Sequence, residues 1–287
     1  MRAIEIRDLT FTYSKKTPFE KMALKNITFN VEEGETLGII GQTGSGKSTL
    51  IQHLNGLIRM KNGEGTIFGR DIKDKKILKD LRFDVGMVFQ YPEYQLFADT
   101  VALDVAFGPK NMKLEKDEID RRVRRALDLV GLPYDKFANR SPFELSGGEK
   151  RRAAIAGVIA MEPKILILDE PTAGLDPQGR EDILELIKQL KKEVSPTIII
   201  VSHNMDEIAK MADHIIVMSE GYIIYDGTPI EVFTRPDFKE KTELDLPMAT
   251  RIADTLQERG IDIPDVVTVE ALVEELAKLK KGGCENE

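Results

Sequence analysis

The 287-residue sequence predicts an α/β fold, with a mostly parallel sheet covered by helices on both faces. Three observations predict it. Short β-branched or leucine-rich runs alternate with helix-period segments over most of the chain. The longest apolar runs, ILIL at 165–168 and IIIV at 198–201, suit buried strands and fall far short of the roughly 18 residues that span a bilayer. Hydrophobic residues make up 41% and charged residues 31%, the balance of a globular chain with a core. The single cysteine, Cys284, excludes a disulfide framework and points to a reducing compartment. The start, MRAIEIRD, has charges among its apolar residues and no signal-peptide core. The chain is therefore expected not to cross a membrane, and to act at one only through a partner.

The elements follow in order. AIEIRDLTFTY and NITFNVEEGE read as strands of an antiparallel edge or subdomain. TLGIIG (36–41) reads as a buried strand and KSTLIQHLNGL (47–57) as the helix after it. VGMVFQ (85–90), KILILDE (164–170), TIIIVSH (197–203) and HIIVMS (214–219) are further strands, with helices near 180–192 and 204–212. No strand run interrupts 99–160. Within it, EKDEIDRRVRRALDLVGL (115–132) sets Ile119, Val123, Leu127 and Val130 on one helical stripe. That predicts a helical insert at about 91–160. After 214 the chain reads as strands and turns without helices.

A charge step near 230 marks a boundary. Residues 230–287 hold 14 acidic and 8 basic residues, against 35 and 33 in the first 229. We expect a main domain at 1–233 and a small helical domain at 234–287. In the tail, Met248, Ile252 and Leu256 share one helical face. Val269, Leu272, Val273, Leu276 and Leu279 share another. Pro247 and Pro264 precede these helices, and Gly282–Gly283 are placed to stop the last. The net charge of −8, without a basic block, argues against a general nucleic-acid binder.

GQTGSGKST (41–49) matches G-x-x-x-x-G-K-[ST] between a strand and a helix. Gly41, Gly44 and Gly46 let the backbone, with Gln42, Thr43 and Ser45, wrap close to phosphate oxygens at a positive helix end. Lys47 supplies a point charge to the β- and γ-phosphates. The Ser48 hydroxyl can ligate Mg²⁺, and Thr49 closes the motif. KILILDEP (164–171) ends a strand in two carboxylates. Asp169 would hold Mg²⁺ or its water shell. Glu170 could polarise an attacking water. LSGGE (145–149) opens a second helix with Ser146, Gly147, Gly148 and Glu149 in its first turn.

The order of phosphate loop, LSGGE and LDE resembles the ATP-binding-cassette (ABC) family over roughly residues 1–230. The resemblance implies an ABC-type P-loop ATPase core, with an antiparallel β subdomain and a helical subdomain. It implies that Tyr13 stacks on adenine, and that Gln90 senses Mg²⁺ and water and links to the membrane partner. It gives Asp176, in AGLD (173–176), a place in the dimer-interface loop, and His203 a contact with the γ-phosphate. It also implies head-to-tail dimers, in which Ser146 and its neighbours complete the site of the opposite chain. Glu149 stands where many members have glutamine. The other histidine on the phosphate-loop helix, His53, reads as structural.

YPEYQLFADTVALDVAFGP (91–109) resembles the extended glutamine region of the ATPases of energy-coupling-factor importers, which meets a transmembrane scaffold. Part of it is expected to be core and part contact surface. KTPFEKMALKN (16–26), QHLNGL (52–57) and SPFELSGG (141–148) resemble the second of the two unlike ATPases of such importers. The tail fits their small C-terminal dimerisation domain. The resemblance thus implies ATP and Mg²⁺, a second ATPase subunit, a transmembrane scaffold subunit and, indirectly, a substrate-binding membrane subunit. It implies a peripheral place on the cytoplasmic face of the cell membrane, and import of vitamins or transition-metal ions. Three other readings remain at this stage: a cassette of a different ABC transporter, a soluble ABC ATPase acting on nucleic acid or ribosomes, and a regulatory subunit that binds ATP without splitting it.

Overall fold

The computed structural model describes residues 1–283, with side chains to Lys280; Cys284 lies outside the described residues. Ten strands form two sheets. They are β1 (Arg2–Tyr13), β2 (Lys21–Glu32), β3 (Thr36–Gly41), β4 (Glu64–Ile67), β5 (Arg70–Asp71), β6 (Val85–Val88), β7 (Ile165–Asp169), β8 (Thr197–Val201), β9 (His214–Ser219) and β10 (Tyr222–Gly227). The first sheet is antiparallel in the order β2-β1-β4-β5. The second has the order β10-β9-β3-β8-β7-β6 and is parallel except at β10.

Why the second sheet reads as unbroken apolar runs is visible in where its side chains go. Successive residues on a strand point to opposite faces. Ile165 and Ile167 enter one core while Leu166 and Leu168 enter another. Ile199 and Val201 divide from Ile198 and Ile200 in the same way, as do Ile216 and Met218 from Ile215 and Val217. Both faces are covered, so apolar side chains fill the middle of each strand, and the buried polar residues Thr36 and Thr197 stand at strand starts. Each such apolar residue contributes about 1.5–3 kcal/mol by burial. The β1–β2 sheet and the helix Lys47–Leu54 cover one face, and the helical insert with the helices Pro177–Glu193 and Met205–Met211 packs on the other.

The helical insert runs through Val101–Val105, Phe107–Asn111, Lys116–Leu129, Tyr134–Phe137 and Gly147–Ile159. On Lys116–Leu129, Val123 and Leu127 are buried, as is Val130 just beyond, while Ile119 is partly buried. That is the stripe expected. Within 91–109, Leu96, Val101 and Val105 are core, whereas Tyr94, Phe97, Leu103 and Phe107 are exposed.

Several expectations change. The strands expected to reach Gln90 and His203 stop at Val88 and Val201, so both residues sit on loops beyond the strand ends. The helix expected over 47–57 ends at Leu54, where Asn55 turns away and its side-chain amide donates to the Val85 carbonyl. A helix at Leu78–Asp84 was not anticipated. The segment after 214 does contain a helix, Pro229–Phe233, opened by a Thr228/Glu231 capping box with Pro229 in the first turn. That T-P-x-E pattern was readable in the sequence.

The tail has three helices instead of two: Phe238–Thr242, Met248–Glu258 and Val269–Gly283. The last is described as far as Gly283, within the glycine pair expected to stop it. Its small core is Ala249, Ala253, Ile263, Val266 and Leu272, with Thr250 donating to the Val266 carbonyl at 2.9 Å. Most of the two expected stripes lies outward, while Leu256 and Leu272 reach the small core. The helix Met248–Glu258 packs through its alanines, because small side chains allow close approach, and Met248 and Ile252 face outward. Of the second stripe only Leu272 is buried, leaving Val269, Val273, Leu276 and Leu279 exposed. Among the described residues, no helix is long and apolar enough to cross a membrane.

Candidate active site

The phosphate loop leaves β3 at Gly41 and enters the helix Lys47–Leu54. Gly44 and Gly46 have φ of 83° and 110°, values that L side chains rarely adopt. A Cβ on Gly46 would also lie 2.6 Å from the Ala23 carbonyl oxygen, and one on Gly41 2.2 Å from that of Met218. The cap residue Gly46 offers no side chain, and the first helical turn holds no acid. The helix's positive end is therefore left for an anion. Lys47 Nζ donates to the carbonyls of Gly41 (2.6 Å) and Gln42 (2.9 Å), which fixes its charge at the loop. Burial pulls its pKa down, against the pull of Glu170 and Asp169.

Gly46→Ala should therefore weaken ATP binding at least tenfold, since strained backbone of this kind costs about 1–3 kcal/mol. Calorimetry with ATP checks this; undiminished affinity would show that the loop does not need its left-handed turn.

Four more candidate residues, Gln90, Asp169, Glu170 and His203, arrive at or just beyond the ends of neighbouring parallel strands. Because β8 lies between β3 and β7, and β6 lies beyond β7, the carboxyl ends of these strands face one cavity. That cavity, of about 370 Å³, is lined by Lys47, Ser48, Gln90, Asp169, Glu170 and His203, with Tyr13, Lys21, Ala23, Thr43, Gly44, Gly46 and Thr49 around its mouth. Gln42 and Ser45 line a neighbouring cavity, and there Gln42 Nε2 donates to Glu243 at 2.7 Å.

Glu170 has a left-handed backbone, φ 51°, and its N–H donates to the Val201 carbonyl at 2.8 Å. The bond ties the end of β7 to β8. It brings the Glu170 carboxylate to the His203 ring, whose Nδ1 lies 2.8 Å from Oε2. A strained residue held this firmly commonly marks a functional site. Asp169 is pushed up to about 6, first by burial and then by the charge of Glu170, with Lys47 pulling the other way. A carboxylate so short of positive charge fits a divalent cation. Ser48, Gln90 and Asp169 all offer hard oxygen donors, which suit Mg²⁺. Among the described residues no cluster of three His, Cys, Asp or Glu is placed to hold a metal.

Tyr13 sits partly exposed at the rim, its hydroxyl 3.2 Å from Thr49 Oγ1. Phe11 meets it edge-on at 4.8 Å and meets His53 at 4.7 Å. His53 is buried, and its Nδ1 donates to the Thr49 carbonyl at 2.7 Å. Reading the sequence alone missed Lys21, a cation at the cavity mouth. It pairs across the β1–β2 ladder with Tyr13, and only the hairpin register could have revealed it.

The signature residues lie elsewhere. Ser146 caps the helix Gly147–Ile159, and Glu149 completes a capping box: Ser146 N–H donates to Oε2 at 2.8 Å, and Glu149 N–H to Ser146 Oγ at 3.3 Å. Glutamine could make the same bonds, which accounts for Glu149 here. None of Ser146, Gly147, Gly148 and Glu149 lines the cavity of Lys47. Asp176 caps the helix Pro177–Glu193, accepting from Gly179 N–H at 2.7 Å.

Residues 24–173 match the ABC transporter family. The energy-coupling factor transporter ATP-binding protein EcfA2 of Clostridium acetobutylicum is 54% identical over 278 residues, covering 96% of this chain and 97% of that protein. EcfA2 of Caldanaerobacter subterraneus subsp. tengcongensis is 52% identical over 281 residues, 97% of this chain and 98% of that protein. The chain belongs to this family of ABC ATPases. Solved structures agree with the fold of this ABC ATPase. CbiO1 of Clostridium perfringens, part of the ABC transporter complex cbiONQ, superposes with a TM-score of 0.74 at 42% identity, covering 89% of this chain and 99% of that one. The dimeric ATP-binding cassette MJ0796, bound to ADP and Pi, superposes at 0.69 and 32% identity, over 79% and 98%. The ABC ATPase described here is an enzyme coupled to transport.

Proposed function

We propose that this ATPase energises an importer of vitamins or transition-metal ions through a membrane scaffold subunit. The observation that carries the reading is the position of Gln90. It lines the cavity of Lys47 and Glu170. The turn Pro92–Gln95 follows it directly, and Gln95 and Phe97 line a separate apolar groove of about 360 Å³. Leu57, Phe89, Phe107 and Met161 are among its other lining residues, with Arg82 and Asp104 as its charged ones. One short segment therefore joins the nucleotide to a surface suited to an apolar helix end of the scaffold.

The chemistry divides among the residues as follows. The loop amides and Lys47 hold the β- and γ-phosphates. Tyr13 stacks on the adenine, propped by Phe11. Glu170 positions and polarises the attacking water, with His203 fixing its carboxylate. Ser48, Gln90 and Asp169 would hold Mg²⁺, which when bound neutralises charge developing on the phosphates. Ser146 to Glu149 complete the site of a second ATPase subunit, and Asp176 lies at that interface. Residues 234–287 form a dimerisation domain, using the outward stripe of Met248, Ile252, Val269 and Val273. The scaffold holds the ATPase peripherally at the cytoplasmic face of the cell membrane, and the scaffold's partner binds the cargo.

Phe97 is well exposed and packs edge-on to Phe107 at 5.1 Å. Phe97→Glu should abolish co-purification with hydrophobic membrane subunits from detergent extracts while leaving ATP affinity intact. Wild-type chain that brings down ribosomes or nucleic acid instead would refute the transport reading.

A further inference from the structure

Arg151 is a charged side chain only 4% exposed that the mechanism above does not use. It lies in the second turn of the helix that Ser146 caps. Its guanidinium makes four hydrogen bonds. Nε and Nη2 grip Glu93 at 3.2 and 3.1 Å, one to each carboxylate oxygen. Nη1 donates to the carbonyls of Pro171 (3.3 Å) and Ala173 (2.9 Å). The partners belong to two different working parts. Glu93 lies in the turn between Gln90 and the groove residues Gln95 and Phe97. Pro171 and Ala173 belong to the turn that follows Glu170, and Ala173 N–H donates back to the Glu170 carbonyl at 3.1 Å. The rigid planar fork serves all three segments at once, which a lysine could not do.

We infer that Arg151 is a positioning residue that couples the docking turn at Glu93 to the loop carrying Glu170. A shift of the turn when the groove is filled moves Glu93. The bidentate grip passes the shift to Arg151, and the Pro171 and Ala173 carbonyls pass it to the catalytic carboxylate. The signature helix moves with them, because the same side chain is anchored there. This inference rests on the proposed reading of the groove as the scaffold's docking surface.

The test uses the ATPase purified as its complex with the membrane subunits. Arg151→Lys keeps the charge and loses the fork. Glu93→Gln keeps the shape at a less buried position, and it decides the matter should the arginine variant not fold. Each is expected to lower kcat roughly tenfold to a hundredfold, the scale of a misplaced catalytic group, with KM for ATP within twofold of wild type. The double variant should be no slower than the slower single variant, because both break one link. Wild-type kcat in a folded Glu93→Gln complex would overturn the inference. So would a fall in kcat matched by equal loss of ATP affinity and melting temperature, which marks a purely structural pair. A wild-type chain that hydrolyses ATP but never assembles with membrane subunits would instead defeat the docking reading.

Discussion

Glu170→Gln is expected to bind ATP as the wild type does and to hydrolyse it about 10²–10⁴-fold more slowly. Binding survives because Lys47, the loop amides and Tyr13 are untouched, and they supply the contacts to phosphate and base. Hydrolysis fails because an amide cannot accept the proton of the attacking water. The replacement keeps the size and shape of the side chain that lies 2.8 Å from His203 Nδ1, so the loop geometry is retained. The variant should therefore accumulate as an ATP-bound closed dimer, seen as a shift in size-exclusion chromatography only when ATP is present. Turnover at the wild-type rate would remove Glu170 from the catalytic set.

The second large effect concerns Ser146. Its distance from the Lys47 cavity in the fold, and its role as a helix cap facing outward, suit a group that serves a neighbouring chain. Ser146→Arg should inactivate, and so should Lys47→Ala. In a mixed dimer of the two, one composite site carries both lesions and the other carries none, so part of the activity should return. Sites formed within single chains would give no rescue, since each chain keeps its own defect. Losing the Ser146 cap alone costs about 0.5–2 kcal/mol, so Ser146→Asp is the companion variant. It keeps the cap and places a negative charge where phosphate would sit. If both variants melt normally and verified mixed dimers stay inactive, the head-to-tail site is wrong.

Much of the site was legible because its chemistry is local. The glycines, Lys47 and Ser48 lie in one continuous stretch, and each is required by the backbone path at that stretch. Asp169 and Glu170 end an apolar run, so their place at a strand terminus followed directly. Which face of a tail helix packs inward was not legible, for a related reason. Periodicity ranks side chains by hydrophobicity, yet the helix Met248–Glu258 packs through Ala249 and Ala253. How closely two helices approach depends on a partner that the local pattern does not contain.

The sequence by itself determined the buried apolar strands, the phosphate loop, the paired carboxylates and, through the order of these motifs and LSGGE, the family. Each motif is written in residues within a turn or two of one another. Only the tertiary structure decided the strand order β3-β8-β7-β6, which sets His203 beside Glu170 and Gln90 near Lys47. It alone placed Lys21 at the cavity mouth and closed Arg151 onto Glu93, Pro171 and Ala173. Those contacts join residues far apart in the chain. They are fixed by how all the apolar faces are buried at once, and no single segment carries that information.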